Sequence, residues 1–277
     1  MPLMHALRVG AVKYLNAKPL YYRLEEIAPE VRLVMDLPSR LADRLASGDL
    51  DVALIPSVEY LRGGSLGYEI LPGFAIAAHG PVRSVKLFSH VPLDQIERLA
   101  LDEGSRTSQA LTQVLLADLY GVKPRIVEPL AMGVPIQEST ADAILLIGDR
   151  AMLVPDRGFH RVIDLAGAWK RWTGLPFVFA LWVARAGVEL GDLPEKLDLC
   201  RRLGLANADA ISRKYGPELG LDLETCRDYL TNVLSYDLGD AELAGLRLFN
   251  ARASALGLVP EGANLVFHRR RSLAALR

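Results

Sequence analysis

Four consecutive residues, Ser105-Arg106-Thr107-Ser108, concentrate the polar chemistry of this chain. Three hydroxyls and a guanidinium follow an apolar run, Leu99 to Leu101, that reads as a short strand ending at Asp102-Glu103-Gly104. Beyond them Leu111, Val114, Leu115 and Leu119 recur at helical spacing, and Gly121 closes the run as a left-handed cap. A strand that turns directly into a helix leaves the first backbone N–H groups unpaired at the positive end of the helix dipole. Hydroxyls and one guanidinium at that point make a seat for an anion, and a carboxylate is the natural occupant. Ser105 is equally an ordinary N-cap and Arg106 an ordinary solvated side chain, so this stretch alone leaves both readings open.

Other polar residues stand at equivalent places. Tyr14-Leu15-Asn16-Ala17-Lys18-Pro19 follows the first expected strand, Pro56-Ser57-Val58-Glu59-Tyr60 follows the third, and Gly80-Pro81-Val82-Arg83-Ser84 enters another. Each has a structural explanation of its own: Asn16 as a turn residue, Ser57 and Glu59 as a helix cap, Ser84 as a strand-edge hydroxyl. Their common position at strand ends argues for one site. Gly148-Asp149, after the strand AILLI, adds a carboxylate that could act as a base or cap the next helix.

The elements that must position these groups alternate. Leu7 to Val12, Val31 to Met35, Asp51 to Ile55 and Val85 to Phe88 read as strands. Helices are expected from Pro19 to Glu26 and from Ser39 to Ala46. The pattern predicts a mostly parallel sheet covered by helices. A second α/β unit holds strands at Leu99–Leu101, Arg125–Val127, Ala143–Ile147 and Val162–Leu165. The apolar strand Phe177 to Val183 follows, and the remainder reads as helical, with starts at Asp192, Asp222 and Asp240. No Pro/Gly/Ser linker separates the units. The expectation is therefore two lobes sharing crossover strands, with residues 1–88 and 178–277 forming lobe one and 89–177 lobe two. A ligand would lie in the cleft between them, where strand ends and helix N-termini converge.

Composition narrows the function. The chain has 277 residues, 32 Lys plus Arg against 33 Asp plus Glu, and a hydrophobic fraction of 51%. This balance carries no basic stripe for nucleic acid, and Arg269-Arg270-Arg271 reads as a solvated basic end. No apolar run is long enough to span a bilayer, and the N-terminal MPLMHALRVGAV does not read as a secretory signal. Cys200 and Cys226 lie in helical patterns, which fits a reducing cytoplasm. His5, His79, His90, His160 and His268 are scattered without metal-ligand spacing, and no GxGxxG, GK[ST] or GxSxG motif occurs. No metal and no cofactor are expected. A small-molecule substrate is the expected partner, with no nucleic acid and no membrane; a homodimer is compatible with the sequence.

The stretches VGAVKYLNAKPL, DVALIPSVEYL, HGPVRSVKLFS, LDEGSRTSQALTQVLL, ILLIGDRAM and WTGLPFVFALW, in this order, resemble the chorismate dehydratase family of the futalosine route to menaquinone. The resemblance covers about residues 7 to 185. It implies an α/β, two-lobed periplasmic-binding-protein-like (type II) fold with a ligand cleft between the lobes. It also implies a cytoplasmic hydro-lyase that converts chorismate to 3-[(1-carboxyvinyl)oxy]benzoate. Loss of the C3 proton and the C4 hydroxyl makes the ring aromatic, and charge flows onto the ring carboxylate. Donors aimed there stabilise the transition state. Under this resemblance Asn16 is the catalytic candidate, and Ser57, Ser84, Ser105, Arg106, Thr107 and Ser108 bind substrate. Glu59 and Asp149 are candidates for the base. A second option for the base is the substrate's own enolpyruvyl carboxylate, with Asn16 orienting it or bonding the departing hydroxyl, since an amide is no base at neutral pH. Two alternatives remain: a naphthoate synthase of the same route, and a non-catalytic binding protein for a small aromatic carboxylate.

Overall fold

The protein was analysed as a computed structural model that describes residues 6–131 and 133–269. The chain first lays down β1 (Arg8–Val12), β2 (Arg32–Asp36), β3 (Val52–Pro56) and β4 (Glu69–Ala78). It then builds β5 (Val85–Ser89), β6 (Arg98–Asp102), β7 (Ile126–Leu130), β8 (Ala143–Ile147) and β9 (Arg161–Asp164) as a separate sheet. Finally β10 (Phe177–Ala184) and β11 (Ser235–Leu238) return to the first. The first sheet has the order β11-β4-β10-β3-β1-β2 and the second β7-β6-β8-β5-β9. This is the expected two-lobed α/β architecture. The apolar strands β3, β8 and β10 are buried at every residue, because helices cover both faces of each sheet.

The sheets are less parallel than the sequence pattern predicts. β1 runs parallel to β2 and β3, and β6 to β7 and β8. The strands next to the crossings run against their neighbours: β10 against β3 and β4, and β5 against β8 and β9. β5 pairs within the second sheet over its whole length, and the chain passes from the first sheet to the second between Ala78 and Val85. It returns to the first sheet between Asp164, the end of β9, and Phe177, the start of β10.

Two strands were not anticipated. β4 carries Pro72 and Gly73 in its middle, Gly73 has a φ of 94°, and the pairing with β10 shifts register. β11 is a short edge strand inside the run that reads as helical. The helix expected from Pro19 is instead a 3₁₀ turn, Leu15–Tyr21, followed by one α-turn at Leu24–Ile27. This turn carries Asn16. It is pressed against the helix Leu193–Ala206 at Gly204, where a Cβ would come within 2.5 Å of the Pro19 backbone. At the second crossing Trp169, Phe177 and Phe249 stack edge-on, with ring centroids 5.0 to 6.2 Å apart. That cluster joins the last helix of one lobe to the first returning strand of the other. His5, Arg270 and Arg271 lie outside the described residues.

Candidate active site

The two lobes face each other across a cleft with about 560 Å³ of empty space, open solvent included. Its walls come from both sheets. Val12, Asn16, Pro56, Ile76 and Phe179 line it from the first lobe, and Ser84, Ser105, Ser108, Ile147 and Gly148 from the second and the crossing. The floor is apolar. The polar groups are an amide, hydroxyls and the phenol of Tyr14; no lysine or arginine is among the lining residues.

Four of the sequence-predicted residues meet here: Asn16, Ser84, Ser105 and Ser108. The Asn16 Oδ1 atom is buried and has no hydrogen-bond partner. A buried carbonyl oxygen left unpaired is costly, and a ligand donor is the usual remedy at a site. Ser84 is buried, and its Oγ accepts a hydrogen bond from the Tyr229 hydroxyl at 2.8 Å. Its place is fixed by a constrained backbone. Arg83 adopts a left-handed φ of 63°, and the Val82 and Arg83 N–H groups both donate to the Asp164 carboxylate, at 3.0 and 2.6 Å. The Gly148 N–H donates to the Ser84 carbonyl at 2.7 Å. Ser105 is the N-cap of the helix Arg106–Val114: the Ser108 N–H donates to its Oγ at 3.3 Å, and the two serine hydroxyls lie 2.9 Å apart. The N-terminus of that helix thus opens on the cavity.

Ser57 and Thr107 are not in the cavity lining. Both are fully buried in the contact between lobes. The Ser57 hydroxyl donates to the Val178 carbonyl at 2.7 Å, and the Val58 N–H donates to Thr107 Oγ1 at 3.2 Å. Thr107, from the second lobe, therefore satisfies a free N–H at the start of the helix Ser57–Arg62 of the first.

Arg106 likewise turns away from the cavity. Its guanidinium bonds the two Asp43 carboxylate oxygens at 2.8 and 3.0 Å and Glu59 Oε2 at 3.1 Å, both acids belonging to the first lobe. Sequence reading made it a substrate ligand; here two facing carboxylates hold it as a strap between lobes. Glu59 is committed on both sides, to Arg106 and to Arg62 at 2.7 Å, and is absent from the lining. Asp149 also lies outside the lining. Burial pushes its carboxyl above the usual range, while the backbone and Lys18 favour its anion.

Two functional candidates escaped sequence reading. Tyr229 sits in a helical run with no polar motif beside it. Asp102 ends β6 and Gly104 follows it, where Gly104 lets Tyr14 approach: an added Cβ would lie 2.9 Å from the Tyr14 hydroxyl and 3.0 Å from Asp102 Oδ1. Burial raises the Asp102 carboxyl above its ordinary range, opposed by the Gly104 N–H and Arg150. The Tyr14 phenol is pushed well up, by burial first and then by Asp102 and Asp149, so it stays a neutral donor.

A family model described as "Menaquinone biosynthesis" matches residues 7–255. The chorismate dehydratase of Thermus thermophilus is 34% identical over 270 residues, covering 90% of this chain and 95% of that protein. The chorismate dehydratase of Campylobacter jejuni is 25% identical over 255 residues, 90% and 98% of the two chains. The 1,4-dihydroxy-6-naphtoate synthase of Streptomyces coelicolor is 27% identical over 172 residues, 58% of this chain and 61% of that one. Among solved structures, the periplasmic aliphatic sulphonate binding protein of Escherichia coli superposes with a TM-score of 0.65 at 15% identity, covering 97% and 95% of the chains. The chain therefore has a periplasmic-binding-protein-like fold, and it belongs to the menaquinone-biosynthesis family that includes chorismate dehydratase.

Proposed function

We propose that this protein is a hydro-lyase that removes water from chorismate to give 3-[(1-carboxyvinyl)oxy]benzoate. The observation that carries the reading is the similarity, over nearly the full length of both chains, to the chorismate dehydratase of Thermus thermophilus. A cleft lined by uncharged donors, with one unpaired amide oxygen, supports it. We take the lobes to meet at the two crossings, between Ala78 and Val85 and between Thr173 and Phe177. A cytoplasmic location goes with this reading.

The reaction breaks the C3–H and C4–O bonds. The ring electrons rearrange to an aromatic system, and the C3 proton leaves with the C4 hydroxyl as water. No electrons are gained or lost, so no redox cofactor is needed. Removing the C3 proton sends charge onto the ring carboxylate. Ser105, Ser108 and the helix N-terminus they cap are the groups to receive it, and such fixed donors act without reorganising.

The uncharged lining bears on the base. A guanidinium against a carboxylate would hold its pKa down and weaken it as a base, whereas a low-dielectric pocket raises it. With Arg106 engaged by Asp43 and Glu59, a substrate carboxylate keeps its basicity. Glu59 is salt-bridged twice and Asp149 stands outside the lining. The enolpyruvyl carboxylate of the substrate is therefore our choice of base, with Asn16 as the residue that positions the reacting groups. Incubating purified protein with chorismate and following mass and ultraviolet absorbance tests the reading. It fails if chorismate is bound but not consumed, the behaviour of a binding protein.

A further inference from the structure

Ser84 enters the cavity wall from a turn that the chain adopts at a cost. Its N–H donates to the Val82 carbonyl at 2.7 Å, around an Arg83 whose φ is 63°. A hydrogen bond between residues two apart, closed around a positive φ, is the pattern of the rarer and strained form of the γ-turn. Glycine is the default residue at such a φ, because any Cβ crowds the backbone there. This chain places an arginine at that position instead.

One carboxylate holds the turn. Asp164, at the end of β9, accepts from the Val82 N–H on Oδ1 at 3.0 Å and from the Arg83 N–H on Oδ2 at 2.6 Å. Its Oδ1 also accepts from the Gly167 N–H at 2.9 Å and so caps the helix Leu165–Thr173. That helix lies on the return of the chain to the first sheet. It meets the outgoing segment a second time, since a Cβ on Gly167 would come within 3.2 Å of Pro81 Cγ. Asp164 thus ties the outgoing segment to the helix that precedes the return. The other polar groups of Ser84 are committed as well. The Gly148 N–H donates to its carbonyl at 2.7 Å, and the Tyr229 hydroxyl donates to its Oγ at 2.8 Å. The hydroxyl proton of Ser84 is what remains to offer the cavity.

We propose that Asp164 is a positioning residue, whose carboxylate holds the Arg83 turn in its strained form and so aims the Ser84 hydroxyl at the substrate. The inference rests on the functional reading above and extends it to a residue outside the cavity lining. Backbone strain persists only where the surroundings over-determine it, and two charge-assisted hydrogen bonds to consecutive N–H groups do so here. Without them Arg83 relaxes to a negative φ, and Ser84 turns away from the oxygen it serves.

The test uses Asp164→Ser, which keeps an oxygen to cap the helix but cannot hold both N–H groups of the turn. Wild type is assayed with chorismate first; if it does not consume it, the functional reading fails and this inference with it, whereas failure of the clamp alone shows against an active wild type. Asp164→Ser is expected to lower kcat by about tenfold and to change KM less than about threefold, with Tm close to that of wild type. Adding Arg83→Gly is expected to recover at least about threefold of the lost kcat, because glycine takes a positive φ without the Cβ contact. Adding Arg83→Ala removes the same ion pair with Asp228 but leaves the strain, and is expected to recover nothing. In a Ser84→Ala background Asp164→Ser is expected to change kcat by less than about twofold, since clamp and hydroxyl act as one unit. If Asp164→Ser does not fold, Asp164→Asn keeps the size, sets an amide N–H against one N–H of the turn, and is judged by the same comparisons. Wild-type kcat in the Asp164 variant, recovery by both Arg83 substitutions or by neither, or the same loss without Ser84 overturns the proposal.

Discussion

Replacing Arg106 with alanine separates a strap between lobes from a substrate ligand. The guanidinium makes three hydrogen bonds across the cleft, two to Asp43 and one to Glu59. The Asp43 side chain is 60% exposed, so that pair contributes about 0–1 kcal/mol after solvent screening. The Glu59 side chain is only 15% exposed, and a charge-assisted bond there contributes about 1.5–3 kcal/mol. Glu59 retains Arg62 when Arg106 is lost, which keeps its carboxylate paired. A total near 2–3 kcal/mol corresponds to about a 30- to 150-fold shift in the balance between closed and open lobes. If substrate binds the closed form, KM rises by up to that factor, and kcat changes little because bound substrate still closes the cleft. Steady-state kinetics, with X-ray scattering of the free protein to follow opening, reads both effects. The pair Asp43→Asn with Glu59→Gln should reproduce the KM of Arg106→Ala, and adding it to Arg106→Ala should change nothing further. If the acid pair leaves KM unchanged while Arg106→Ala raises it, Arg106 binds the substrate and the strap reasoning is wrong.

Three further outcomes follow from the geometry. Asn16→Ala should lower kcat by roughly 10²-fold with a smaller change in KM, the scale of a lost oriented contact, and Asn16→Asp should be poor because it sets a negative charge beside a dianion; a faster Asp variant would mean that the enzyme can supply the base at this position. Gly104→Ala should displace Tyr14, costing about 1–3 kcal/mol in denaturant unfolding and lowering kcat/KM, whereas unchanged values would mean the phenol and Asp102 can part freely. Asp51 is buried, which alone would raise its carboxyl, yet hydrogen bonds from the Arg8 side chain and backbone and from Arg185 hold it well below the carboxylate range. Because its folded pKa is depressed, its contribution is complete above the unfolded value of about 3.9 and is lost as pH falls toward the folded value. Asp51→Asn should cost about 3 kcal/mol at pH ~7 and progressively less below pH ~4 in urea titrations; a cost that does not shrink would refute the assignment.

The two α/β units and the cleft were legible because β1, β3, β6 and β8 are uninterrupted apolar runs ending in polar turns. β4 was hidden by Pro72 and Gly73, which read as a turn yet occupy an irregular stretch of a paired strand. Asn16, Ser84, Ser105 and Ser108, which line the cavity, stand out in the sequence by their places at strand ends. The engagement of Arg106 by Asp43 and Glu59 is hidden from the sequence for a physical reason. The sequence shows a cation at a helix start, but Asp43 and Glu59 belong to other elements, and only the folded chain brings them within 3.1 Å. Thr107 and Ser57 share that limit, since a hydroxyl aimed at a ligand and one aimed at a backbone group look the same in sequence. Tyr229 carried no local signal at all: its partner Ser84 is 145 residues away.

The most direct test of the central claim uses chorismate deuterated at C3, followed by mass spectrometry in wild type and in Asn16→Ala. The account predicts that wild type forms 3-[(1-carboxyvinyl)oxy]benzoate that has lost one water and all of the deuterium, at a rate that Asn16→Ala lowers by roughly 10²-fold. Chorismate returned unchanged, or a dehydrated product that keeps the label, would contradict it.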